Sequence, residues 1–222
     1  MAIADKAGFI IRETLVKSVP HVPELRLHLA DEAMALWQKT EDELGEISLP
    51  PPFWAFAWAG GQALARYILD TPTLVNGKTV LDFACGSGLV GIAAMMAGGR
   101  SCTCVDIDDF AIEATRLNAA LNEVTVATTR DDLTAGAPPQ TDVLFCGDVF
   151  YDRPMATKIL AFLDLALESG TDVLVGDPGR SYLPKHRLDH LATYEVPVVG
   201  ALEDMDVKRS SVYRLRATSD PE

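Results

Sequence analysis

The sequence lacks several features that identify common classes of protein. It has only four cysteines in 222 residues, and none lies in a Cys-x-x-Cys pair, so the sequence indicates neither a disulfide framework nor a zinc ribbon. No apolar run approaches the ~20 residues that a membrane-spanning helix needs. The first twenty residues include Asp5 and Glu13 and lack a long apolar core, unlike a signal or transit peptide. We therefore expect a cytoplasmic protein with no metal centre and no membrane contact.

Positive charge is also scarce. The chain has 19 lysines and arginines against 32 aspartates and glutamates, a formal net charge of −13. Its tight basic clusters are short, at residues 185–187 and 208–209. An acidic surface repels phosphate backbones, so we expect no nucleic-acid partner. The excess of acid favours a basic partner, such as a lysine-bearing segment of another protein, and we expect the chain itself to be a monomer.

From residue 78 onwards the sequence alternates between β-branched apolar runs and amphipathic runs. Such strands, separated by helices, predict an α/β fold with a mostly parallel, doubly wound sheet. Two further apolar runs near the end predict an antiparallel hairpin at one edge, which brings the sheet to seven strands. The predicted strands span residues 79–84, 101–106, 124–129, 142–147, 172–176, 193–199 and 211–216, and the helices span 89–97, 110–122 and 155–168.

The first fifty residues predict a helical extension. Apolar spacing over residues 4–16 and 31–39 is compatible with helices, and the three prolines at 50–52 form a stiff boundary. The chain is therefore expected to divide into a helical extension over residues 1–49 and a cofactor-binding domain over residues 50–222.

A glycine-rich turn with two acids predicts the cofactor. Gly86 and Gly88 follow the first predicted strand, and Asp106 ends the next one, where a carboxylate can accept both hydroxyls of a ribose. With Gly91 the glycines spell G-x-G-x-x-G, which fits an NAD site equally well. Asp82, four residues before Gly86, is unusual beside a pyrophosphate but can hold the ammonium of a methionine, directly or through water. The turn therefore favours S-adenosylmethionine, and an Asp82 that only orients the loop is compatible with this interpretation.

Two further positions are candidate cofactor contacts. Asp131 follows the third strand of the predicted sheet, where an acid can accept the adenine amine, although exposed loop acids are common. Trp58 precedes Gly60 and Gly61 and can pack on the cofactor, or it can belong to the core with its aromatic neighbours at 53–56.

The end of the fourth strand carries the candidate acceptor site. Asp148 and Tyr151 lie three residues apart, an arrangement in which an acid can hydrogen-bond a lysine amine while an aromatic ring contacts its stem. Enzymes that methylate the amino groups of nucleic-acid bases usually carry a proline-containing signature at the end of this strand, which this chain lacks. The alternative is that both residues only end the strand and pack the loop.

Together these segments resemble the seven-β-strand protein lysine methyltransferases, and more narrowly the electron transfer flavoprotein β-subunit lysine methyltransferases. The resemblance runs from about residue 50 to Arg216. The broader likeness is carried by residues 58–61, Asp82 with 86–88, 106–108 and 148–151, and the narrower one by 52–55, 58–64, 147–152 and 176–180.

The resemblance implies a Rossmann-like methyltransferase that methylates a lysine of the flavoprotein β subunit. It implies Gly60 and Ile107 as further cofactor contacts, and Phe150, Asp177 and Arg180 as substrate contacts. The turn at 177–180 has a simpler alternative, in which Arg180 only pairs with Asp177. Other acceptors, such as a lysine of a ribosomal protein or a small molecule, stay open. Animal members work in mitochondria, so the absence of a transit peptide here suggests a bacterial relative.

Overall fold

A computed structural model describes residues 5–31, 51–197 and 207–218 of the chain. Within these ranges the α-helices are α1 (Lys6–Glu13), α2 (Ala59–Asp70), α3 (Leu89–Met96), α4 (Asp109–Leu121) and α5 (Arg153–Glu168). The strands are β1 (Leu15–Val19), β2 (Val22–Leu29), β3 (Thr79–Phe83), β4 (Ser101–Val105), β5 (Ala127–Thr129), β6 (Val143–Gly147), β7 (Asp172–Asp177), β8 (Leu188–Pro197) and β9 (Val207–Leu215). None of the described helices is long and apolar enough to cross a membrane.

Strands β3 to β9 form one seven-stranded sheet in the order β5-β4-β3-β6-β7-β9-β8. The strands from β5 to β7 run parallel to their neighbours, whereas β9 is antiparallel to both β7 and β8. This topology confirms the predicted α/β sheet with an antiparallel hairpin at one edge. From β3 the chain adds β4 and β5 on one side and then crosses to add β6 and β7 on the other side. At this topological switch point a crevice opens at the carboxyl ends of β3 and β6.

Helices cover both faces of the sheet, as its continuous apolar strands require. On one face Leu64 and Ile68 of α2 and Val90 of α3 join the core with β3, β6 and β7. On the other face Ile159 and Phe162 of α5 pack against the opposite sides of the same strands. Because both faces are buried, the side chains that serve the ligand are confined to the ends of the strands.

The N-terminal segment differs from the predicted helical extension. Helix α1 ends at Glu13, and β1 and β2 then form a two-stranded antiparallel hairpin. In β2 the buried residues Leu25, Leu27 and Leu29 alternate with exposed or half-buried ones, a period of two that indicates a strand. The second expected helix, at 31–39, lies outside the described residues apart from Asp31.

Asn118 of α4 and Asn122, which follows this helix, attach the hairpin to the main sheet domain. The backbone N–H of His28 donates to Asn118 Oδ1 at 2.8 Å, and that of Arg26 donates to Asn122 Oδ1 at 3.0 Å. The apolar face of the hairpin also packs on α2, α3 and α4. The hairpin therefore covers the helical layer instead of standing apart from it.

Candidate active site at the carboxyl ends of the strands

The glycine-rich turn after β3 keeps its backbone open to the crevice. Ala84, Gly86 and Gly88 have φ angles of 54°, 53° and 77°, a left-handed region in which glycine is favoured. A Cβ added to Gly86 would find its nearest neighbours only at 4.0 Å, the backbone atoms of Phe53 and Trp54. A ligand can therefore approach the backbone at Gly86, whereas Gly88 is buried and a Cβ there would lie 2.8 Å from the Thr115 side chain.

Asp82 lies buried beneath this turn and supports it. The Gly91 backbone N–H donates to Asp82 Oδ2 at 2.8 Å, so the acid orients the start of α3. Burial, with a smaller contribution from the charge of Asp106, raises the pKa of Asp82 to about 7. A bound cation would favour the ionised form of such a carboxyl. The orienting role is thus visible directly, and it is compatible with the predicted contact to an ammonium group.

Asp106 and Ile107 form the next wall of the crevice. Asp106 Oδ2 accepts the Gly86 N–H at 2.9 Å, and its Oδ1 accepts the Asp108 N–H at 3.0 Å. Burial raises the pKa of Asp106. Ile107 is 72% exposed, so its apolar side chain is accessible to a ligand in the crevice. An acid held rigidly beside an exposed apolar side chain suits a ribose with its attached purine.

The acid pair after β5 is divided between two tasks. Asp132 caps the short helical turn Leu133–Ala135 by accepting the Thr134 N–H at 3.0 Å. Asp131 instead accepts a hydrogen bond from the Thr129 hydroxyl at 2.6 Å, at the edge of the sheet next to β4. Asp131 is therefore held at the carboxyl end of β5, next to the crevice edge where β4 ends.

Asp148 is buried and held by charges on both sides. Its φ is +59°, and only 7% of the residue is exposed. Oδ2 accepts the Gly61 N–H at 3.0 Å, at the positive end of α2, while Oδ1 accepts Arg180 Nε at 3.1 Å and Nη2 at 2.7 Å. A helix N-terminus and a guanidinium both stabilise a carboxylate. Neither the Gly61 N–H nor the Arg180 guanidinium was predicted as a partner of Asp148.

Close packing explains the glycine at position 60, which the resemblance marked as a cofactor contact. A Cβ on Gly60 would lie 2.5 Å from Asp148 Oδ2 and would overlap the carbonyl oxygen of Gly176. The first turn of α2 therefore rests directly on the ends of β6 and β7. This close approach brings the Gly61 N–H within reach of Asp148.

Three aromatic side chains, Phe53, Trp58 and Tyr151, form what we term the aromatic collar. The ring of Phe53 lies 5.7 Å from that of Trp58 and 5.7 Å from that of Tyr151. Phe53 and Tyr151 are 36% and 45% exposed. The guanidinium carbon of Arg180 lies 5.7 Å from the ring centre of Trp58 and 6.0 Å from that of Tyr151. Two rings of the collar therefore already contact a cation next to Asp148.

Two of the expected substrate contacts serve other purposes. Phe150 is fully buried in the core cluster that includes α5, so this prediction is wrong: the side chain fills the core and offers no surface to an acceptor. Asp177 is also buried, and its Oδ1 accepts the N–H groups of Gly179 at 2.6 Å and Arg180 at 2.7 Å. The alternative of a pair between Arg180 and Asp177 takes the form of this turn, in which Asp177 accepts the Arg180 backbone N–H while the guanidinium bonds to Asp148.

Comparison with known proteins identifies the family. A model of the ribosomal protein L11 methyltransferases matches residues 63–147. An electron transfer flavoprotein beta subunit lysine methyltransferase from Danio rerio is 34% identical over 223 residues, which cover 97% of this chain and 85% of that protein. A homolog from Caenorhabditis elegans is 32% identical and covers 95% of this chain and 96% of its own length. The chain belongs to the family of electron transfer flavoprotein beta subunit lysine methyltransferases.

Members of this fold bind the cofactor that the crevice suits. Magnesium protoporphyrin IX methyltransferase from Synechocystis, solved with bound S-adenosylmethionine, superposes with a TM-score of 0.51 at 16% identity, over 71% of this chain and 78% of its own. The open glycine backbone, the rigid Asp106 and the exposed Ile107 fit the nucleoside part of that cofactor. Because its relatives of 32–34% identity are named lysine methyltransferases, the chain is an S-adenosylmethionine-dependent methyltransferase.

Proposed function

We propose that this enzyme methylates the Nε atom of a lysine in the electron transfer flavoprotein β subunit. The name of its relatives supports this acceptor, since those that match over most of their length are lysine methyltransferases of that subunit. The observation that carries the proposal is the buried carboxylate of Asp148 beneath the aromatic collar. A carboxylate under aromatic rings suits the amine and the apolar stem of a lysine.

The cofactor would lie along the carboxyl ends of β3, β4 and β5. The backbone at Gly86 and Gly88 would face it, Asp106 would accept the ribose hydroxyls and Asp82 would attract the methionine ammonium. At the far end Ile107 would cover a face of the adenine, Asp131 would accept its amine, and Trp58 would close the crevice. When bound, S-adenosylmethionine supplies a methyl group on a positively charged sulfur.

The acceptor lysine must be neutral before it can act as a nucleophile. With an ordinary lysine pKa near ~10.4, deprotonation near neutral pH costs roughly 4 kcal/mol. We assign Asp148 the role of accepting a hydrogen bond from the neutral amine and orienting its lone pair. Tyr151 would wall the lysine stem. Holding nitrogen and methyl carbon in line then supplies a large part of the rate enhancement.

The cysteines and the net charge bear on the compartment and the partner that we propose. The four cysteines are buried free thiols, which suits a reducing compartment such as the bacterial cytoplasm. The net charge of −13 favours a basic protein segment over a nucleic acid as partner. We propose a monomeric enzyme that meets its protein substrate at the aromatic collar.

A labelling experiment tests the choice of acceptor. Cell extract is incubated with the enzyme and S-adenosylmethionine labelled in its methyl group, and the labelled species are identified. Label in the flavoprotein β subunit, lost with Asp148→Ala and kept with Asp172→Ala at the opposite end of the sheet, supports the proposal. Label in another protein would mean that the acceptor is not the flavoprotein β subunit, and label confined to small molecules would refute protein methylation.

A further inference from the structure

Arg180 occupies the place where the proposed acceptor amine must arrive. Its side chain is 18% exposed, it donates two hydrogen bonds to Oδ1 of Asp148, and it lies against Trp58 and Tyr151. A positive group therefore already sits beside the one carboxylate that the mechanism assigns to the amine. The contact raises the question of how an amine and a guanidinium share this site.

A permanently charged cation at this site would favour the neutral, reactive form of the acceptor amine. An unpaired carboxylate next to a lysine stabilises the ammonium form, which has no lone pair and cannot accept a methyl group. A neighbouring cation has the opposite effect and favours the neutral amine. Because arginine does not lose its proton in proteins, Arg180 stays positive at every pH at which the enzyme works.

The other charged groups at this edge of the sheet are mostly acids. They include Asp82 near the end of β3, Asp106 after β4, Asp152 at the start of α5 and Asp177 at the end of β7, and each in its ionised form would favour a protonated amine. Tyr151 also faces the site, and burial raises the pKa of its phenol. These acids would keep the acceptor lysine protonated unless positive charge opposes them, and Arg180 adds such a charge to that of the bound sulfonium.

The main chain fixes Arg180 in its position. Asp177 accepts the backbone N–H groups of Gly179 and Arg180 in a tight turn, and Gly179 has a φ of 95° that favours glycine. The turn follows β7 directly, so the guanidinium is presented from a rigid strand end. We propose that Arg180 is a positioning residue that keeps the acceptor lysine neutral, by neutralising Asp148 and by holding a positive charge beside the amine. This inference rests on the proposed lysine acceptor.

The proton and electrons balance without a further reactant. The acceptor ammonium gives one proton to water before transfer, a loss that Arg180 favours. The neutral Nε then uses its lone pair to form the new bond to the methyl carbon. The bond that breaks, between that carbon and sulfur, leaves its electron pair on the sulfur and cancels the positive charge there. Asp148 and Arg180 are unchanged at the end.

Arg180→Gln and Arg180→Lys test the inference. With purified flavoprotein β subunit and S-adenosylmethionine both saturating, kcat is measured from about pH 6 to about pH 10, so that its acid limb reports the bound lysine. Removing the cation should raise the pKa of the bound amine, so for Arg180→Gln the acid limb should move to higher pH by about one unit. Near neutral pH its kcat should fall about tenfold, with an unchanged or lower KM for the β subunit. Arg180→Lys keeps the charge and should leave the limb near its wild-type position.

A matched control and a binding measurement complete the test. Arg214→Gln breaks a comparable pair with Asp172, 2.8 Å long at the other end of β7, and should leave the limb in place. Calorimetry without methyl donor should show Arg180→Gln binding the β subunit at least as tightly as wild type at neutral pH, because an ammonium can then pair with Asp148.

Several results would overturn the inference. A raised KM with an unmoved limb in Arg180→Gln would mean that Arg180 only contacts the acceptor. A faster reaction with an unmoved limb would mean that Arg180 blocks the site and is displaced. If Arg180→Gln does not fold, an alkaline shift in Arg180→Lys would exclude the role of charge. Failure of the wild-type enzyme to methylate lysine at any pH would instead refute the proposed function.

Discussion

Replacement of Gly60 by alanine tests whether α2 must rest on the strand ends to build the acceptor site. An added Cβ would lie 2.5 Å from Asp148 Oδ2 and would overlap the Gly176 carbonyl oxygen. One of these neighbours is backbone, so the helix has to move. Overpacking of this kind typically costs about 1–3 kcal/mol. The shift should also weaken the Gly61–Asp148 hydrogen bond of 3.0 Å, a bond to a charged group that contributes about 1.5–3 kcal/mol.

The two costs together give a loss of about 3 kcal/mol in the free energy of unfolding, if they add only in part. For a chain of this size each kcal/mol lowers the melting temperature by about 2–4 °C. We therefore expect Gly60→Ala to melt about 6–12 °C below wild type in a calorimetric scan. Its kcat should also fall, because Asp148 is displaced.

The neighbouring glycine provides the control. A Cβ on Gly61 would meet Leu89 and Val90 only at 3.7 and 3.9 Å, ordinary contact distances, and its N–H would remain available to Asp148. Gly61→Ala should therefore be neutral or more stable by about 0.5 kcal/mol, since alanine loses less backbone entropy on folding. Equal melting temperatures for Gly60→Ala and wild type would refute the close approach of α2 to β7.

Three further predictions concern the acids of the site. Asp106→Ala should weaken binding of S-adenosylhomocysteine by about 1.5–3 kcal/mol, roughly tenfold to a hundredfold in calorimetry, and unchanged affinity would remove Asp106 from the cofactor site. Because the folded pKa of Asp82 is about 7 and the unfolded one is near ~4, the unfolded chain loses this proton first as pH rises. Asp82 should then destabilise the cofactor-free protein increasingly between about pH 4 and about pH 7, and urea unfolding of Asp82→Asn should lack that slope. Asp148→Ala should abolish most turnover while cofactor affinity stays near normal, whereas Tyr151→Phe, which keeps the ring, should have a mild effect; near-normal turnover of Asp148→Ala in steady-state kinetics would contradict the acceptor assignment.

The sheet could be predicted from local patterns, because buried parallel strands and their helices have strong, separate sequence periods. One boundary was wrong because a local hydrogen bond at the end of a helix delays the start of the next strand. Residue 124 was expected to begin β5, but its N–H donates to Ala119 at 3.1 Å and extends the turn after α4, so the strand begins at Ala127. In the hairpin β1–β2 the alternation of leucines was present in the sequence but was assigned to a helical extension.

The candidate site was predicted less completely than the fold. Acids that follow strands, such as Asp106 and Asp148, could be found because the carboxyl ends of parallel strands meet at one edge. Their partners could not, since Gly61 is brought to Asp148 by packing between distant segments and carries no side-chain signal. Arg180 was predicted as a substrate contact, with Asp177 as its alternative partner, and its pair with Asp148 was not predicted. Phe150 was misplaced because it follows β6 in an irregular segment, where no strand period predicts the direction of a side chain, and it enters the core beside Val149.

Methylation of the purified flavoprotein β subunit is the most direct test of the proposed function. The subunit is incubated with enzyme and S-adenosylmethionine, digested, and its peptides are sequenced by mass spectrometry. We expect one or more methyl groups on the side-chain nitrogen of a lysine, absent when Asp148→Ala replaces the wild-type enzyme. A β subunit that stays unmodified, while the same enzyme preparation binds S-adenosylmethionine, would contradict the proposed function.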